Sequence, residues 1–186
     1  ISKKYDIPDF SQLPTKEEIL EMVRAADHVR DKAMVYVLYE GALRESELIN
    51  MKVGDVIFDE YGALINVRGK TGVRTIRLVE SVPYLVSWMN IHPYRTDANA
   101  PLFLSRRTWT KRKLSRSTLK YLIKAIAKRA GIKKNVYPHL LRHKRLTELA
   151  NYLREMQLKM FAGWTLDSRM ASIYVKKAGV DTNNAI

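Results

Sequence analysis

Pro138-His-Leu-Leu-Arg-His143, followed by Ala162-Gly-Trp164 and Ser172-Ile-Tyr-Val-Lys176, is the stretch on which the reading of this chain turns. His139 and Arg142 are three residues apart, so a helix places them on one face. That face offers a guanidinium fork, which grips a phosphate or carboxylate through two parallel N–H bonds. It also offers an imidazole that can exchange a proton near neutral pH. Further on, Tyr174 sits in a helix-compatible segment with cations on both sides. Positive charge favours a phenolate, so Tyr174 is a candidate oxygen nucleophile. His143, beside the motif, reads as a packing or surface group.

Working outward, the remaining elements follow from periodicity and punctuation. Residues 138–151 form a helix with Leu146, Leu149, Ala150 and Leu153 inward. A second helix covers 154–162, and Asp167 is the expected N-cap of the one bearing Tyr174. On the N-terminal side, Thr15-Lys-Glu-Glu18 is a capping box, and Ile19, Met22, Val23 and Ala26 follow at helical spacing. A helix is therefore expected over 15–27, a more apolar one over 33–40, a break at Gly41, and another helix over 44–50. Residues 53–58, 63–68 and 74–79 are short and rich in Val and Ile, separated by turn-like breaks at 59–62 and 69–72. They predict a three-stranded antiparallel sheet whose second hairpin carries Lys70 near its tip. Gly69-Lys-Thr71 resembles the end of a phosphate-binding loop, but that motif needs glycine where Leu64 stands, so nucleotide binding of that kind is rejected. Helices are expected over 82–91 and 118–130, the latter ending at Gly131. The fold class is mainly α with one small antiparallel sheet, an α+β arrangement.

Charge supplies the strongest global signal. Lys and Arg number 33 against 19 Asp and Glu, for a formal charge of +14. That balance favours a polyanionic partner, nucleic acid first. Within 105–116, six of twelve residues are basic: Arg106, Arg107, Lys111, Arg112, Lys113 and Arg116. Lys120, Lys124 and Lys128 continue from Arg116 at steps of four, opposite an apolar stripe of Leu119, Leu122, Ile123, Ile126, Ala127 and Ala130. Residues 98–134 contain no Asp or Glu, so this face is expected to track a phosphate backbone rather than serve as a mixed solvated surface. No cysteine is present, which excludes disulfides, zinc fingers and thiol catalysis. No apolar run reaches the length of a membrane span and no signal peptide is visible, so a cytoplasmic protein, nucleoid-associated when bound, is expected. Residues 1–14 hold Pro8 and Pro14 without periodicity and read as a linker or arm. The chain opens on Ile1 within that stretch, so a preceding N-terminal DNA-binding domain is expected. The body runs over 15–178, with an irregular tail over 179–186.

Four features thus stand in order: Arg44 in Gly-Ala-Leu-Arg-Glu-Ser-Glu-Leu, Lys70 on a hairpin, the His139/Arg142 pair, and Tyr174. Over about residues 14–178 this resembles the catalytic domain of the tyrosine recombinases, the phage-integrase and Xer-type family. The C-terminal segment resembles archaeal and archaeal-virus integrases in particular, that is, enzymes of viruses or mobile elements. The resemblance implies that Arg44 and Arg142 grip the non-bridging oxygens of a scissile DNA phosphate. It gives Lys70 the protonation of the leaving 5′ oxygen, with Lys52, Arg68 and Arg74 as nearby alternatives. His139 would help move the nucleophile's proton, and Trp164, where most members carry histidine, would donate an indole N–H. Tyr174 would form a 3′-phosphotyrosine, and Glu47 would support the site. One extra residue separates Trp164 from Tyr174 relative to the common pattern. The implied activity is site-specific DNA recombination without ATP, metal or other cofactor. Its implied partners are duplex DNA and a tetramer on paired sites, with the free chain monomeric and no membrane or small-molecule substrate. Two other classes are weighed against it. A type IB topoisomerase shares the chemistry, and a non-catalytic DNA-binding regulator would share the fold.

Overall fold

In a computed structural model that describes residues 8–105 and 110–183, the chain folds around one helix buried on nearly every side. This helix, α2 (Val29–Glu40), has ten buried residues, among them Ala33, Met34, Val35, Val37 and Leu38. A helix apolar all round must be enclosed. Here α1 (Lys16–Ala25), α4 (Val82–Ile91) and α6 (Pro138–Leu149) enclose it. The expected start at residue 33 is too late. Arg30 and Asp31 read as polar, yet both are buried, because Arg30 Nε donates to Asp31 at 2.7 Å and Arg30 also donates to the Leu104 carbonyl at 2.6 Å. A paired, hydrogen-bonded charge can be enclosed where a lone one cannot.

The capping box of α1 forms as expected: Thr15 accepts from the Glu18 amide at 3.1 Å, and Glu18 accepts from the Thr15 amide at 2.8 Å. After α2 the chain turns at Ala42, a non-glycine in the left-handed region with φ +46°. Such a residue is uncommon and is held by its surroundings. Amides of Gly41, Ala42 and Leu43 bond back to the carbonyls of Val37, Tyr39 and Leu38. The chain then enters α3 (Glu45–Asn50), with Arg44 at its N-cap.

The sheet is the expected antiparallel one, in order β1 (Val56–Asp59), β2 (Gly62–Gly69), β3 (Gly72–Leu78). Gly69 pairs with Gly72, leaving Lys70 and Thr71 as a two-residue turn. The first strand begins later than expected, because Val53–Asp55 closes a 3₁₀ turn in which the Asp55 side chain accepts from the Lys52 amide. α5 (Arg116–Arg129) starts at a Ser115 cap and buries Leu119, Ile123, Ile126 and Ala127.

α6, α7 (Glu155–Ala162) and α8 (Met170–Asn183) build a second, smaller core of Ala42, Leu146, Ala150, Leu158, Ala162, Ala171, Tyr174 and Ala178. Three details of this end refine the sequence reading. α8 opens at Met170, three residues after Asp167, and the Met170 amide bonds to Ser168 Oγ at 3.3 Å. The helix continues past Gly179, where an irregular tail was expected. The arm is ordered where it is described. Phe10–Gln12 forms a 3₁₀ turn capped by Asp9, and the Phe10 ring meets Tyr174 edge-on at 6.1 Å. No helix among the described residues is long and apolar enough to cross a membrane.

Candidate active site

Three arginines from three different elements converge on one buried carboxylate. Glu47, on the first turns of α3, is 2% exposed. Arg44 donates to it through its amide at 2.7 Å and its guanidinium at 2.8 Å. Arg74 on β3 donates through both terminal nitrogens, at 2.7 and 3.1 Å. Arg142 on α6 lies 4.0 Å away. Burial pushes the Glu47 carboxyl up, but bonds and charge from Arg74, the Arg44 amide and the charge of Arg142 outweigh it and hold it below its ordinary value.

The same three guanidinia meet the C-terminal end of α7. Arg74 Nε donates to Phe161 O at 2.8 Å, Arg142 to Ala162 O at 2.7 Å, and Arg44 to Gly163 O at 3.2 Å. The last carbonyls of a helix have no intrahelical partners and carry the negative end of its dipole. Three cations therefore satisfy three consecutive orphan acceptors. Gly163 makes this fit possible. Its φ is +64°, and a Cβ there would fall 2.7 Å from an Arg74 nitrogen. Arg142 also donates to Ala42 O, so the left-handed turn after α2 is tied to the same fork.

With one carboxylate and one helix end against three guanidinia, the cluster keeps a surplus of positive charge. Arg142 is 2% exposed; burial and then the neighbouring Arg44 pull its pKa down to about 9, against the pull of Glu47, so it stays charged at neutral pH. Arg44 is the arginine that reaches solvent, its side chain 30% exposed. An oxyanion arriving at this face meets fixed donors in a partly dry setting, where such charge is worth more than in water.

Tyr174 is wholly buried in α8 beside this cluster. Trp164 stands between the two: the Arg142 guanidinium lies 5.7 Å from its ring, and the Tyr174 ring is stacked at 5.7 Å and 25°. The Tyr174 hydroxyl and His143 Nδ1 share a hydrogen bond, and the two rings lie 6.0 Å apart at 22°. His139 is half-buried and meets His143 edge-on at 4.4 Å. The expectation that cations would ease Tyr174 toward its phenolate does not hold for this arrangement. Burial raises its pKa, and Arg142 offsets only part of that. Nor is His143 a surface group: it is 4% exposed and holds the candidate nucleophile.

Lys70 is exposed at the hairpin tip, without a hydrogen bond or ion pair among the described residues. The tip itself is docked, for Thr71 Oγ1 donates to Gly163 O at 3.0 Å. Of the three alternatives, Arg68 pairs with Asp55 at 2.9 Å and Lys52 is exposed beside Pro101, whereas Arg74 belongs to the cluster. The structure therefore brings together Arg44, Glu47, Arg142, Trp164 and Tyr174, with His139 and Lys70 on the margins.

Two residues were undervalued, Arg74 as no more than an alternative to Lys70 and His143 as a packing or surface group, and each had a signal. Arg74, Ile76 and Leu78 alternate along β3, so Arg74 lies in register with the buried face, an unusual place for a charge. His143 lies three residues from both Leu140 and Leu146, on the inward side of α6.

The basic face on α5 is less free than its sequence suggested. Lys120 lies 3.7 Å from Glu45 of α3, so an acid from another element faces a stripe that has none of its own. Lys111 is paired with Asp97 and lies over the Tyr94 ring at 5.4 Å, and Lys113 donates to Asn50 at 2.6 Å. Arg112, Arg116 and Lys124 are exposed. Arg106 and Arg107 fall outside the described residues.

Residues 13–179 match the phage integrase family. A protein of Pyrococcus furiosus named tyrosine recombinase XerA is 35% identical over 137 residues, which is 73% of this chain and 46% of the relative. Its counterpart in Pyrococcus horikoshii is 36% identical over 135 residues, with the same coverage of 73% and 46%. The chain thus spans about half the length of these relatives. Among solved structures, a crystal structure of XerA recombinase superposes with a TM-score of 0.79 at 27% identity, over 99% of this chain and 65% of that one. A XerH site-specific recombinase bound to its palindromic difH substrate shares the fold, with a TM-score of 0.72 at 19% identity over 93% of this chain and 52% of that one.

Proposed function

This chain belongs to the phage integrase family, and on that premise we propose that it is the catalytic domain of a site-specific DNA recombinase that cuts and rejoins DNA through Tyr174. The observation that supports the reading best is the triple-arginine receptor beside a lone phenol. Attack on a phosphodiester builds negative charge on the non-bridging oxygens, and fixed guanidinia stabilise that charge where it forms. Arg44, Arg142 and Arg74 are already oriented by Glu47 and the α7 carbonyls, so little reorganisation is left for the reaction step.

In this mechanism the Tyr174 oxygen bonds to phosphorus and the bond to the 5′ oxygen breaks. The leaving oxygen takes a proton from Lys70, and the phenol proton passes to solvent water, helped by His139. The broken bond is stored as a 3′-phosphotyrosine ester, so reversal by a 5′ hydroxyl needs no ATP. Because Tyr174 is fully enclosed in the DNA-free chain, the side chains that cover it, Phe10 among them, must open before a phosphate can reach its oxygen. Duplex DNA is the partner, bound by the arginine face together with Arg112, Arg116, Lys120 and Lys124. The assembly on paired sites is a tetramer, and the free chain a monomer.

The test is a covalent-adduct assay. The protein is incubated with a nicked duplex carrying its attachment site in EDTA, quenched with detergent, and compared with Tyr174→Phe. An adduct that disappears in the variant is expected. Tight binding with no adduct from the parent chain would instead favour a DNA-binding regulator. An adduct accompanied by relaxation of supercoils, without joining of two sites, would favour a topoisomerase.

A further inference from the structure

The sequence motif offers His139 as the imidazole of the site, yet the imidazole bonded to the nucleophile is His143. We propose that His143 is a positioning residue for Tyr174, its Nδ1 holding the hydroxyl and fixing the phenol for attack. This rests on the recombinase reading above.

The geometry behind it has three parts. First, the Tyr174 hydroxyl makes one hydrogen bond among the described residues, and it goes to His143 Nδ1. A buried hydroxyl without its partner costs about 1–3 kcal/mol, so this bond selects one orientation of the phenol. Second, the phenol ring is confined on several sides: nearly parallel to His143 at 6.0 Å and to Trp164 at 5.7 Å, and edge-on to Phe10 at 6.1 Å. The rings limit where the phenol can lie, and the hydrogen bond fixes where its proton points. Third, His143 is neutral and so able to accept. Burial, then His139 and Arg142, lower its pKa to about 3, so the ring carries a single proton, and with that proton on Nε2 the Nδ1 lone pair accepts from the hydroxyl.

Position on the helix adds a reason for His143 rather than another acceptor. It follows Arg142 directly and lies four residues after His139, against whose ring it packs at 4.4 Å. The residue that orients the nucleophile and the residue that grips the phosphate are therefore consecutive on one rigid helix. A loop residue could not hold the two to a common frame so closely.

The test compares His143→Phe, His143→Asn and His143→Gln with the parent in two measurements: affinity for the attachment-site duplex, and the first-order rate of adduct formation at saturating DNA. Phenylalanine keeps the ring and removes the acceptor. Asparagine returns an acceptor close to the Nδ1 position, whereas glutamine carries its own one methylene too far. The expected result is unchanged affinity, with the rate lowered roughly 10- to 100-fold in His143→Phe and His143→Gln and largely restored in His143→Asn. A His143→Phe rate equal to or above the parent's overturns the proposal, and so does a His143→Asn rate no better than that of His143→Gln. If His143→Phe melts below the assay temperature, the Asn and Gln pair decides alone. A parent chain that forms no Tyr174-dependent adduct defeats the recombinase reading instead, which separates the two failures.

Discussion

Replacing Glu47 by glutamine keeps the volume and one acceptor oxygen at the centre of the arginine cluster and removes a single negative charge. What that charge is worth depends on its setting. An exposed ion pair contributes about 0–1 kcal/mol, whereas stripping one partner from a buried pair costs about 3–5 kcal/mol because the remaining charge stays enclosed. Glu47 belongs to the second case. Its side chain is 1% exposed, and its partners Arg74 and Arg142 are 13% and 2% exposed. Arg44, more open, weakens the effect slightly. The expected loss for Glu47→Gln is about 3 kcal/mol, which for a domain of this size lowers the melting temperature by roughly 6–12 °C. Scanning calorimetry or urea unfolding at neutral pH and low salt measures it. Millimolar phosphate, or duplex DNA, should restore the variant more than it stabilises the parent, since an anion among the arginines replaces the missing charge. The pH profile supplies an internal check. The Glu47 carboxyl lies below its ordinary 4.5 in the folded chain, so its contribution is complete above that value and is lost as the solution is acidified through the lower folded value. That acid limb should be shallower in Glu47→Gln. A variant within 1 kcal/mol of the parent, or one indifferent to phosphate, would refute the idea that Glu47 is the counter-ion on which the cluster depends.

Two further outcomes are expected. Lys124 is exposed, so Lys124→Ala should lower the slope of log affinity against log salt by about 0.9 in an anisotropy titration, whereas Lys111→Ala, whose ammonium already sits on Asp97, should change it less. Trp164→Phe keeps an aromatic face between Arg142 and Tyr174 and should slow adduct formation by about tenfold through loss of the indole donor, while Trp164→Ala, which also removes the stacking, should slow it further.

Local signals in the sequence read well where local forces decide. The Thr15–Glu18 capping box and the helix over Val82–Ile91 were legible because side-chain caps and helical periodicity are short-range. The errors share a cause. The apolar run over 33–40 does not show that α2 begins earlier, where Arg30 and Asp31 are enclosed by their bond to each other and to a carbonyl 74 residues from Arg30. Val53 extends the Val- and Ile-rich run of the first strand, but Asp55 accepts from the Lys52 amide and closes a turn. In both places a polar side chain found a partner that spacing does not reveal.

The site divides along the same line. Arg44, His139, Arg142 and Tyr174 could be proposed from the sequence because their chemistry is carried by residue type and order. Arg74 was seen only as a substitute for Lys70, and His143 as filler, because their importance lies in what they touch. Arg74 matters through Glu47 and the Phe161 carbonyl, and His143 through the Tyr174 hydroxyl. The α7 C-terminus is harder still to foresee. Its contribution comes from three backbone carbonyls, which any residues would supply, made reachable by a glycine at 163. A receptor for an oxyanion needs cations held close together against their own repulsion. This chain supplies the restraint with one carboxylate and the end of a helix rather than with a row of acids. That choice keeps the positive surplus on which the proposed phosphate binding depends. It also makes the order of the site hinge on Gly163, a residue with no side chain to suggest a role.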